Sequence, residues 1–359
     1  MNCKPCAVLA FAALLLGGCS QANASPNRPA ASTIPTHYAE TIGNTIFDLS
    51  PEIPDGFDVT AIPKVEIKTI QSSDREMAFN TYAVGKTITK QEFTPATDDP
   101  DSTAGQYSYR FQDGGNLCAG GTTSSYYSAF GYYYSHLLYD LERSTQPAAF
   151  PFATIADAEQ AVTDAIHNFG YEGEFAFQSI PLDFETAKTL DTKIKNRAAE
   201  GEIDKNSYNP NWTADDNAYI LYGTQKIGGL PVFYDPYFSA QIAALDTPFN
   251  HTIQAISTAR GLESLHMTCL FDYTETKDRI PILPFEDIAQ AVSQKLNRQD
   301  CAEPYQVYRA KLFYGVHIPA VCTTLDAFPM WYFEVNDPQN TKHPLVVLIN
   351  AATGVDIAI

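Results

Sequence analysis

The stretch Glu286-Asp-Ile-Ala-Gln-Ala-Val292 decides the predicted fold, because a counterpart of it, Ala156-Asp-Ala-Glu-Gln-Ala-Val162, lies 130 residues earlier in the chain. The two stretches are identical at four of seven positions, and a Pro-Phe pair precedes each of them. Apolar residues recur in both at spacings of three and four, which is the period of a helix with one buried face. The sequence therefore predicts the same amphipathic helix twice.

Apolar segments of strand length follow each predicted helix. They are 175–177, 218–222 and 229–234 after the first helix, and 305–312, 330–335 and 344–349 after the second. One helix followed by about three antiparallel strands, occurring twice, predicts an α+β fold with two tandem units of one helix packed on an antiparallel sheet. Residues 265–273 are predicted to form a further strand, and the alternation of Val65 and Ile67 predicts a strand in the region before the first unit.

The first residues of the chain have the parts of an export signal. Lys4 supplies the only positively charged side chain, an apolar run of ten residues follows from Ala7 to Leu16, and Leu16-Gly17-Gly18-Cys19 ends the segment. A helix that spans a bilayer needs roughly 20 apolar residues, so this run is too short to remain as a transmembrane anchor. The last four residues resemble the lipobox of bacterial lipoproteins, which implies that Cys19 carries a lipid. An ordinary secretory signal cleaved elsewhere is the alternative.

Domain boundaries follow from these patterns. Residues 19–36 are rich in Ser, Pro, Asn and Ala and are too poor in apolar residues to fold, so they are predicted to be a flexible tether. The predicted parts of the chain are a lipoprotein signal peptide (1–18), the tether (19–36), a strand-rich N-terminal region (37–150), a first helix-plus-sheet unit (151–262) and a second helix-plus-sheet unit (263–359).

The chain is strongly acidic. It has 42 Asp and Glu residues against 23 Lys and Arg residues, and its formal net charge is −19. Nucleic-acid binding depends on clustered cations, so this composition predicts no nucleic-acid partner. The composition also argues against adsorption on anionic lipid, which leaves the acyl chain on Cys19 as the predicted membrane contact.

Four cysteines follow the signal and the lipid-bearing Cys19. They are Cys118, Cys269, Cys301 and Cys322. An even number in an exported protein allows two disulfides with three possible connectivities. We expect Cys301 to pair with Cys322, because both fall in the last unit. The alternative is that all four are buried thiols that act as small apolar residues.

A tyrosine-rich segment spans residues 114–139. Its candidate binding residues are Tyr126, Tyr127, Tyr132, Tyr133 and Tyr134. Tyrosine offers a rigid ring for stacking and a polar tip, so the segment could form an aromatic surface that binds a sugar or a peptide. The alternative is that these rings fill a sheet or an interface between units, because tyrosine is common in strands.

Catalytic and metal-binding motifs are missing from the sequence. It contains no Gly-x-Ser-x-Gly nucleophile turn and no His-Glu-x-x-His zinc motif. Acidic pairs such as Asp215-Asp216 could act as acid and base, but such pairs are expected by chance among 42 acidic residues. The sequence therefore predicts no catalytic residue, no metal ligand, no cofactor and no enzymatic activity.

Residues 285–359 resemble the PepSY module and its relatives among the accessory proteins of two-component regulatory systems. The likeness lies in Ala289-Gln-Ala-Val292, in Trp331-Tyr-Phe-Glu-Val335 and in the final hairpin Val347-Leu-Ile-Asn-Ala-Ala-Thr-Gly354. Gly354 can take the positive φ of a tight turn, whereas Asn350 stands where the family more often has Asp. The whole chain is similar to uncharacterised bacterial lipoproteins that carry tandem PepSY-like units, which implies binding or regulation and implies no chemistry.

These observations predict a lipid-anchored, extracytoplasmic binding or regulatory protein. Its place is the cell membrane, or the outer membrane in a host with two membranes. Its expected partners are the membrane, reached through the lipid, and an envelope protein, peptide or glycan. The alternative is a cell-envelope hydrolase that acts on carbohydrate through a carboxylate pair beside the tyrosine-rich segment.

Overall fold

The computed structural model describes residues 33–70, 72–95, 105–137, 149–201, 209, 211–233, 251–298, 301–317, 325–338 and 340–357. The predicted signal peptide, Cys19 and Cys322 lie outside these ranges. No helix within them is long and apolar enough to cross a membrane.

The described ranges hold five α-helices and sixteen strands. The helices are α1 (Arg75–Tyr82), α2 (Gly131–Leu137), α3 (Ile155–His167), α4 (Phe184–Ala199) and α5 (Phe285–Leu296). The strands of the first half are β1 (Tyr38–Ile42), β2 (Thr45–Leu49), β3 (Pro63–Ile70), β4 (Ile88–Pro95), β5 (Gly105–Phe111), β6 (Asn116–Ala119), β7 (Thr123–Tyr127) and β8 (Glu174–Leu182). Those of the second half are β9 (Ala218–Ile227), β10 (Leu230–Pro231), β11 (Ile253–Thr258), β12 (Gly261–Thr268), β13 (Phe271–Arg279), β14 (Tyr305–His317), β15 (Asp326–Asp337) and β16 (Asn340–Asn350).

A nine-stranded sheet occupies the middle of the chain. Its order is β10-β9-β11-β12-β7-β6-β5-β4, and β8 pairs with β9 beside this path. The buried Val162 and Ile166 of α3 pack on one face of the sheet, and the buried Ile194 of α4 packs on the other face. The sheet therefore has a helix on each side and two separate apolar cores.

A five-stranded sheet combines the two ends of the described chain. Its order is β1-β2-β14-β15-β16, with β2 parallel to β14 and the other pairs antiparallel. Helix α5 covers one face, where the Phe285 and Trp331 rings meet edge to face at a centroid distance of 5.1 Å. The two sheets meet where Phe233 N donates to Tyr314 O at 3.0 Å.

The predicted α+β fold of two tandem units is wrong. The structure is mostly β, with 46% strand and 22% helix, and its five helices lie on large antiparallel sheets. Strands β4 to β7 extend the sheet that contains β9 and β12, and β1 and β2 extend the sheet of β14 to β16. Strand pairing therefore crosses the predicted boundaries at residues 150 and 262. The physical reason is that a three-stranded unit leaves backbone groups unpaired at its edges, and strands distant in sequence satisfy them.

Both predicted helices are confirmed, as α3 and α5. Helix α3 begins with a capping box in which Thr154 and Asp157 exchange hydrogen bonds. Helix α5 buries Ile288, Val292 and Leu296, as its period predicts. Gly354 has a φ of 71°, which confirms the predicted turn.

The single strand predicted over residues 265–273 is wrong. Strand β12 ends at Thr268 and belongs to the nine-stranded sheet, whereas β13 starts at Phe271 and pairs only with β3 among the described strands. Cys269 lies between them with a φ of 51°, a left-handed conformation that a side chain other than glycine rarely adopts. The chain changes direction at this residue, which hydrophobic alternation does not reveal.

Candidate binding cleft

A cleft with a volume of about 600 Å³ lies between the nine-stranded and the five-stranded sheets. This volume falls within the range of small-ligand sites, about 300 to 1,000 Å³. Its walls are parts of β8, β9 and β14 together with the loop 51–55. Its lining includes the side chains of Glu52, Tyr222, Lys226, Arg309 and Lys311.

The β9 wall presents one face of the strand to the cleft. Tyr222, Thr224 and Lys226 alternate along β9, so their side chains point the same way. The Tyr222 ring stacks on the ring of His251 at a centroid distance of 5.4 Å. Burial raises the pKa of Tyr222 to about 12, so its phenol keeps its proton at neutral pH and can donate a hydrogen bond.

The opposite wall is one face of β14. Arg309, Lys311 and Phe313 alternate along the strand and all line the cleft. The Lys311 ammonium lies 5.3 Å from the centre of the Phe313 ring. The alternate residues Ala310 and Leu312 point into the core under α5. The five-stranded sheet thus anchors a pair of cations at the cleft.

The loop 51–55 brings a carboxylate to these cations. Arg309 Nε lies 2.6 Å from Glu52 Oε1, Arg309 Nη2 lies 3.3 Å from Oε2, and Lys311 Nζ lies 3.9 Å from Oε2. The main chain of the loop is held as well, because Glu52 N donates to Ala310 O at 2.8 Å and Leu312 N donates to Glu52 O at 3.0 Å. An extended acidic segment is therefore bound to β14 through both its backbone and its side chain.

A second carboxylate supports Arg309 from within the sheet. Glu334 lies opposite Arg309 on β15, and its Oε2 is 3.9 Å from Arg309 Nη1. The Glu334 side chain is only 3% exposed and accepts a hydrogen bond from Tyr332 Oη at 3.1 Å. Glu334 therefore adds a buried negative charge beside Arg309.

The cleft is less acidic than the chain as a whole. Its cationic side chains are those of Lys226, Arg309 and Lys311, its acidic ones are those of Glu52 and Asp55, and Glu334 lies behind Arg309. The full sequence has 42 acidic against 23 basic residues. Three cations in one cleft of an acidic protein can contact an anionic group of a small ligand, while the overall charge repels a polyanion.

The structure does not bring the five predicted tyrosines together on one surface. Tyr126 is buried in the core under α3, and Tyr134 is buried in the core under α4, on the other face of the sheet. Tyr127 and Tyr133 are half-buried, and Tyr132 is exposed. The rings at the two buried positions fill the sheet, which is the alternative reading of this segment.

The Asp215-Asp216 pair is part of an ion-pair network away from the cleft. Arg260 Nη1 lies 2.8 Å from Asp216 Oδ1, and Arg260 Nε lies 2.7 Å from Glu263 Oε1. The side chains of Asp216 and Glu263 are 5% and 4% exposed. The buried carboxylates of Asp216 and Glu263 both contact the guanidinium of Arg260. This geometry suits a structural role better than acid–base chemistry.

The predicted Cys301–Cys322 disulfide stays a prediction, because Cys322 lies outside the described residues. Within the described ranges, no group of three or more His, Cys, Asp or Glu side chains is arranged to hold a metal ion. Cys118 Sγ lies 3.2 Å from Ser108 Oγ on the neighbouring strand.

Sequence reasoning missed the cleft. One signal for it was present, because Arg309 and Lys311 alternate within the predicted strand 305–312 and so share one strand face in an acidic chain. Lys226 and Glu52 carry no such signal. They join the site only because the two sheets pack together, which depends on contacts between residues far apart in the chain.

Comparison with known proteins gives a fold and no family. No family model matches the chain, and no curated protein matches it. A solved structure that is similar is the crystal structure of an uncharacterized protein from Eubacterium rectale ATCC 33656. The two chains are 14% identical, the TM-score is 0.58, and the match covers 90% of this chain and 94% of that chain. This likeness concerns the fold alone.

Proposed function

We propose that this chain is a lipid-anchored, extracytoplasmic binding or regulatory protein without catalytic activity, and that its ligand occupies the cleft between the two sheets. The observation that carries the proposal is the lining of the cleft. Cations on β9 and β14 face aromatic rings in a space of about 600 Å³. Such a combination binds a ligand that has both an anionic group and an apolar surface.

The lipid anchor is proposed from Leu16-Gly17-Gly18-Cys19 and from the resemblance to lipobox proteins. Cells that express the full chain or Cys19→Ala are grown with labelled palmitate, and the protein is isolated. We expect label on the full chain and none on the variant. Equal absence of label from both would remove the anchor from the proposal.

The hydrolase alternative has two carboxylates to consider in the cleft, Glu52 and Asp55. Glu52 is held by Arg309 and Lys311, which suits a structural carboxylate better than a proton donor. The mature domain is incubated with 4-methylumbelliferyl glycosides, with Glu52→Gln and Asp55→Asn as controls. We expect no turnover above background. Hydrolysis that either substitution abolishes would establish the alternative and contradict the proposal.

Binding itself is tested with two defined pools, soluble peptidoglycan fragments and synthetic short peptides, by the shift in Tm of the mature domain. We expect at least one pool to raise the Tm of the native protein and to have no effect on Arg309→Ala. A pool that stabilises both proteins equally would place binding elsewhere. No stabilisation by either pool would contradict the proposed function.

A further inference from the structure

We infer that two copies of this chain associate through β4, which pairs with the β4 of the second copy in antiparallel orientation about a two-fold axis at Gln91. The pairing sets Lys90 of each copy opposite Glu92 of the other and joins the two nine-stranded sheets edge to edge. Strand β4 ends the sheet on the side away from β8 and β9, which line the cleft. The dimer therefore does not involve the proposed ligand site, and the two proposals can fail separately.

The outer edge of β4 is accessible. Among the described strands only β5 pairs with β4, which is the last strand in the order of the sheet. All eight residues from Ile88 to Pro95 are exposed. The edge of a strand offers a row of main-chain donors and acceptors that another strand can complete. The identical edge of a second copy can therefore pair with it.

One face of β4 carries exposed apolar side chains. Ile88 and Phe93 lie opposite Phe111 and Tyr107 of β5, and a register shift after Ile88 brings the two to the same face. The Phe93 ring contacts the Tyr107 ring at a centroid distance of 4.7 Å but stays 37% exposed. Four of the eight large apolar side chains that are exposed in the described ranges lie within 77–93. Apolar surface concentrated in this way is typical of a contact with another protein.

The other face of β4 carries a pair of opposite charges. Lys90 and Glu92 lie opposite Arg110 and Ser108 of β5, so both point away from the apolar face. Lys90 Nζ is 2.7 Å from Glu92 Oε1, and the two side chains are 49% and 52% exposed. Because both are about half exposed, each can also contact a charge of the opposite sign on a second copy.

Two-fold symmetry selects the register. In an antiparallel pair of identical strands the axis is perpendicular to the sheet and opposed residues share a face, so the axis must lie at a residue and not between two. An axis at Lys90 or at Glu92 sets like charges opposite each other, which is destabilising. An axis at Gln91 sets Lys90 opposite Glu92 twice, which is favourable. It also brings Phe93 of each copy beside the 88–89 segment of the other.

The contact is short. A register shift follows Ile88, and Pro95 ends the strand without a main-chain N–H to donate. Standard protein interfaces bury about 800 Å² on each partner, which is more than two short strand edges can cover. We therefore expect a reversible dimer with a Kd on the order of 10 μM. The net charge of −19 opposes association, so it is measured in salt that screens charges beyond about 8 Å.

Analytical ultracentrifugation tests the dimer. The chain is expressed without residues 1–18 and with Cys19→Ala, so that no acyl chain contributes to association. It is measured between about 1 and about 200 μM in about 0.15 M NaCl. We expect the average mass to rise with concentration from that of the monomer toward twice that value. A mass that stays at the monomer value throughout would overturn the inference.

Charge reversals locate the contact. Lys90→Glu sets carboxylates opposite each other at two sites, and Glu92→Lys does the same with ammonium groups, so each variant is expected to weaken the dimer about tenfold. Lys277→Glu and Glu275→Lys, at exposed positions of β13, change the net charge by the same amounts and are expected to leave the Kd unchanged. Equal effects of Lys90→Glu and Lys277→Glu would mean that net charge and not β4 controls association, and the inference would fail.

A mixture of the two reversal variants separates pairing between copies from a structural role of the same side chains. Lys90→Glu and Glu92→Lys each break the 2.7 Å contact within their own chain. In a heterodimer of the two variants, however, each charge at these positions again lies opposite one of the other sign. We therefore expect the mixture to regain the dimer, with a Kd within about threefold of the native value.

The Tm of every variant is measured to establish that it folds. Lys90→Gln and Glu92→Gln replace a reversal variant that does not fold, and each is expected to weaken the native dimer about threefold, because it removes the opposed charge pairs without adding repulsion. Glutamine variants as strongly associated as the native chain, or a mixture of folded reversal variants that stays monomeric, would contradict the register at Gln91 and overturn the inference.

Discussion

At the scale of single residues, Arg260 forms ion pairs with two carboxylates inside the protein. Its guanidinium contacts the buried carboxylates of Asp216 and Glu263, and it lies 4.6 Å from the centre of the Phe130 ring. Thr258 Oγ1 also donates to Glu263 at 3.0 Å. The network joins the β11–β12 turn to the segments before β9 and after β7, so its loss would loosen one end of the nine-stranded sheet.

Removal of this arginine leaves two buried carboxylates without a cation. Because breaking a buried ion pair costs about 3 to 5 kcal/mol and Arg260 itself is partly exposed, we expect Arg260→Ala to lower the free energy of unfolding by about 3 kcal/mol. Urea denaturation measures the change. The exposed Arg298 provides a control, since Arg298→Ala should stay within about 0.5 kcal/mol of the native protein. Similar losses for the two variants would contradict this account.

His266 makes stability depend on pH. It lies on β12, and burial lowers its pKa below the ordinary value of 6.5. As the pH falls through 6.5, the unfolded chain binds a proton that the folded chain does not, so the free energy of unfolding decreases. His266→Gln should therefore reduce the loss of stability between about pH 7 and about pH 5. Urea titrations at both pH values check this, and an unchanged loss in the variant would refute it.

At the scale of elements, the start of α3 depends on one side chain. Thr154 accepts from Asp157 N at 3.1 Å, and Asp157 Oδ2 accepts from Thr154 N at 2.9 Å. We expect Thr154→Ala to lower the free energy of unfolding by about 1 kcal/mol, because it removes the helix cap. Thr192 is exposed inside α4, and Thr192→Ala should cause no loss. Thermal unfolding of both variants tests the difference, and equal effects would argue against the cap.

The junction between β12 and β13 depends on the conformation of Cys269. Its φ of 51° is unfavourable for a residue with a Cβ atom and costs nothing for glycine. We therefore expect Cys269→Gly to be more stable than Cys269→Ala by about 1 kcal/mol. Chemical denaturation of the two variants measures this difference. If the alanine variant were the more stable one, the left-handed turn at this residue would be in doubt.

An element can be predicted from the sequence when the contacts that stabilise it join residues close together in the chain. Helices α3 and α5 are visible in the sequence because residues three and four apart decide their buried faces. The sheets are not visible in the sequence, because their strands are far apart in the chain. Strand β7 pairs with β12 about 140 residues later, and β2 pairs with β14 across most of the chain. The cleft shares this dependence, since Glu52 and Arg309 meet only when both ends of the chain fold together.

At the scale of the whole molecule, the packing of two sheets brings cations and aromatic rings together in one cleft of a strongly acidic protein. The net charge of −19 disfavours long polyanions as ligands. A ligand that enters must be small enough for about 600 Å³ and can present an anionic group to the cations of β9 and β14. The proposed binding function depends on this inter-sheet cleft.

Hydrogen exchange of the mature protein, measured by mass spectrometry with and without the ligand pool that raises its Tm, tests that dependence most directly. Strand β9 and the loop 51–55 line the cleft, whereas β4 at the far end of the nine-stranded sheet does not. We predict that the ligand slows exchange in Ala218–Ile227 and in 51–55 and leaves Ile88–Pro95 unchanged. Slower exchange in Ile88–Pro95, with no change in Ala218–Ile227 or 51–55, would show that the cleft is not the binding site.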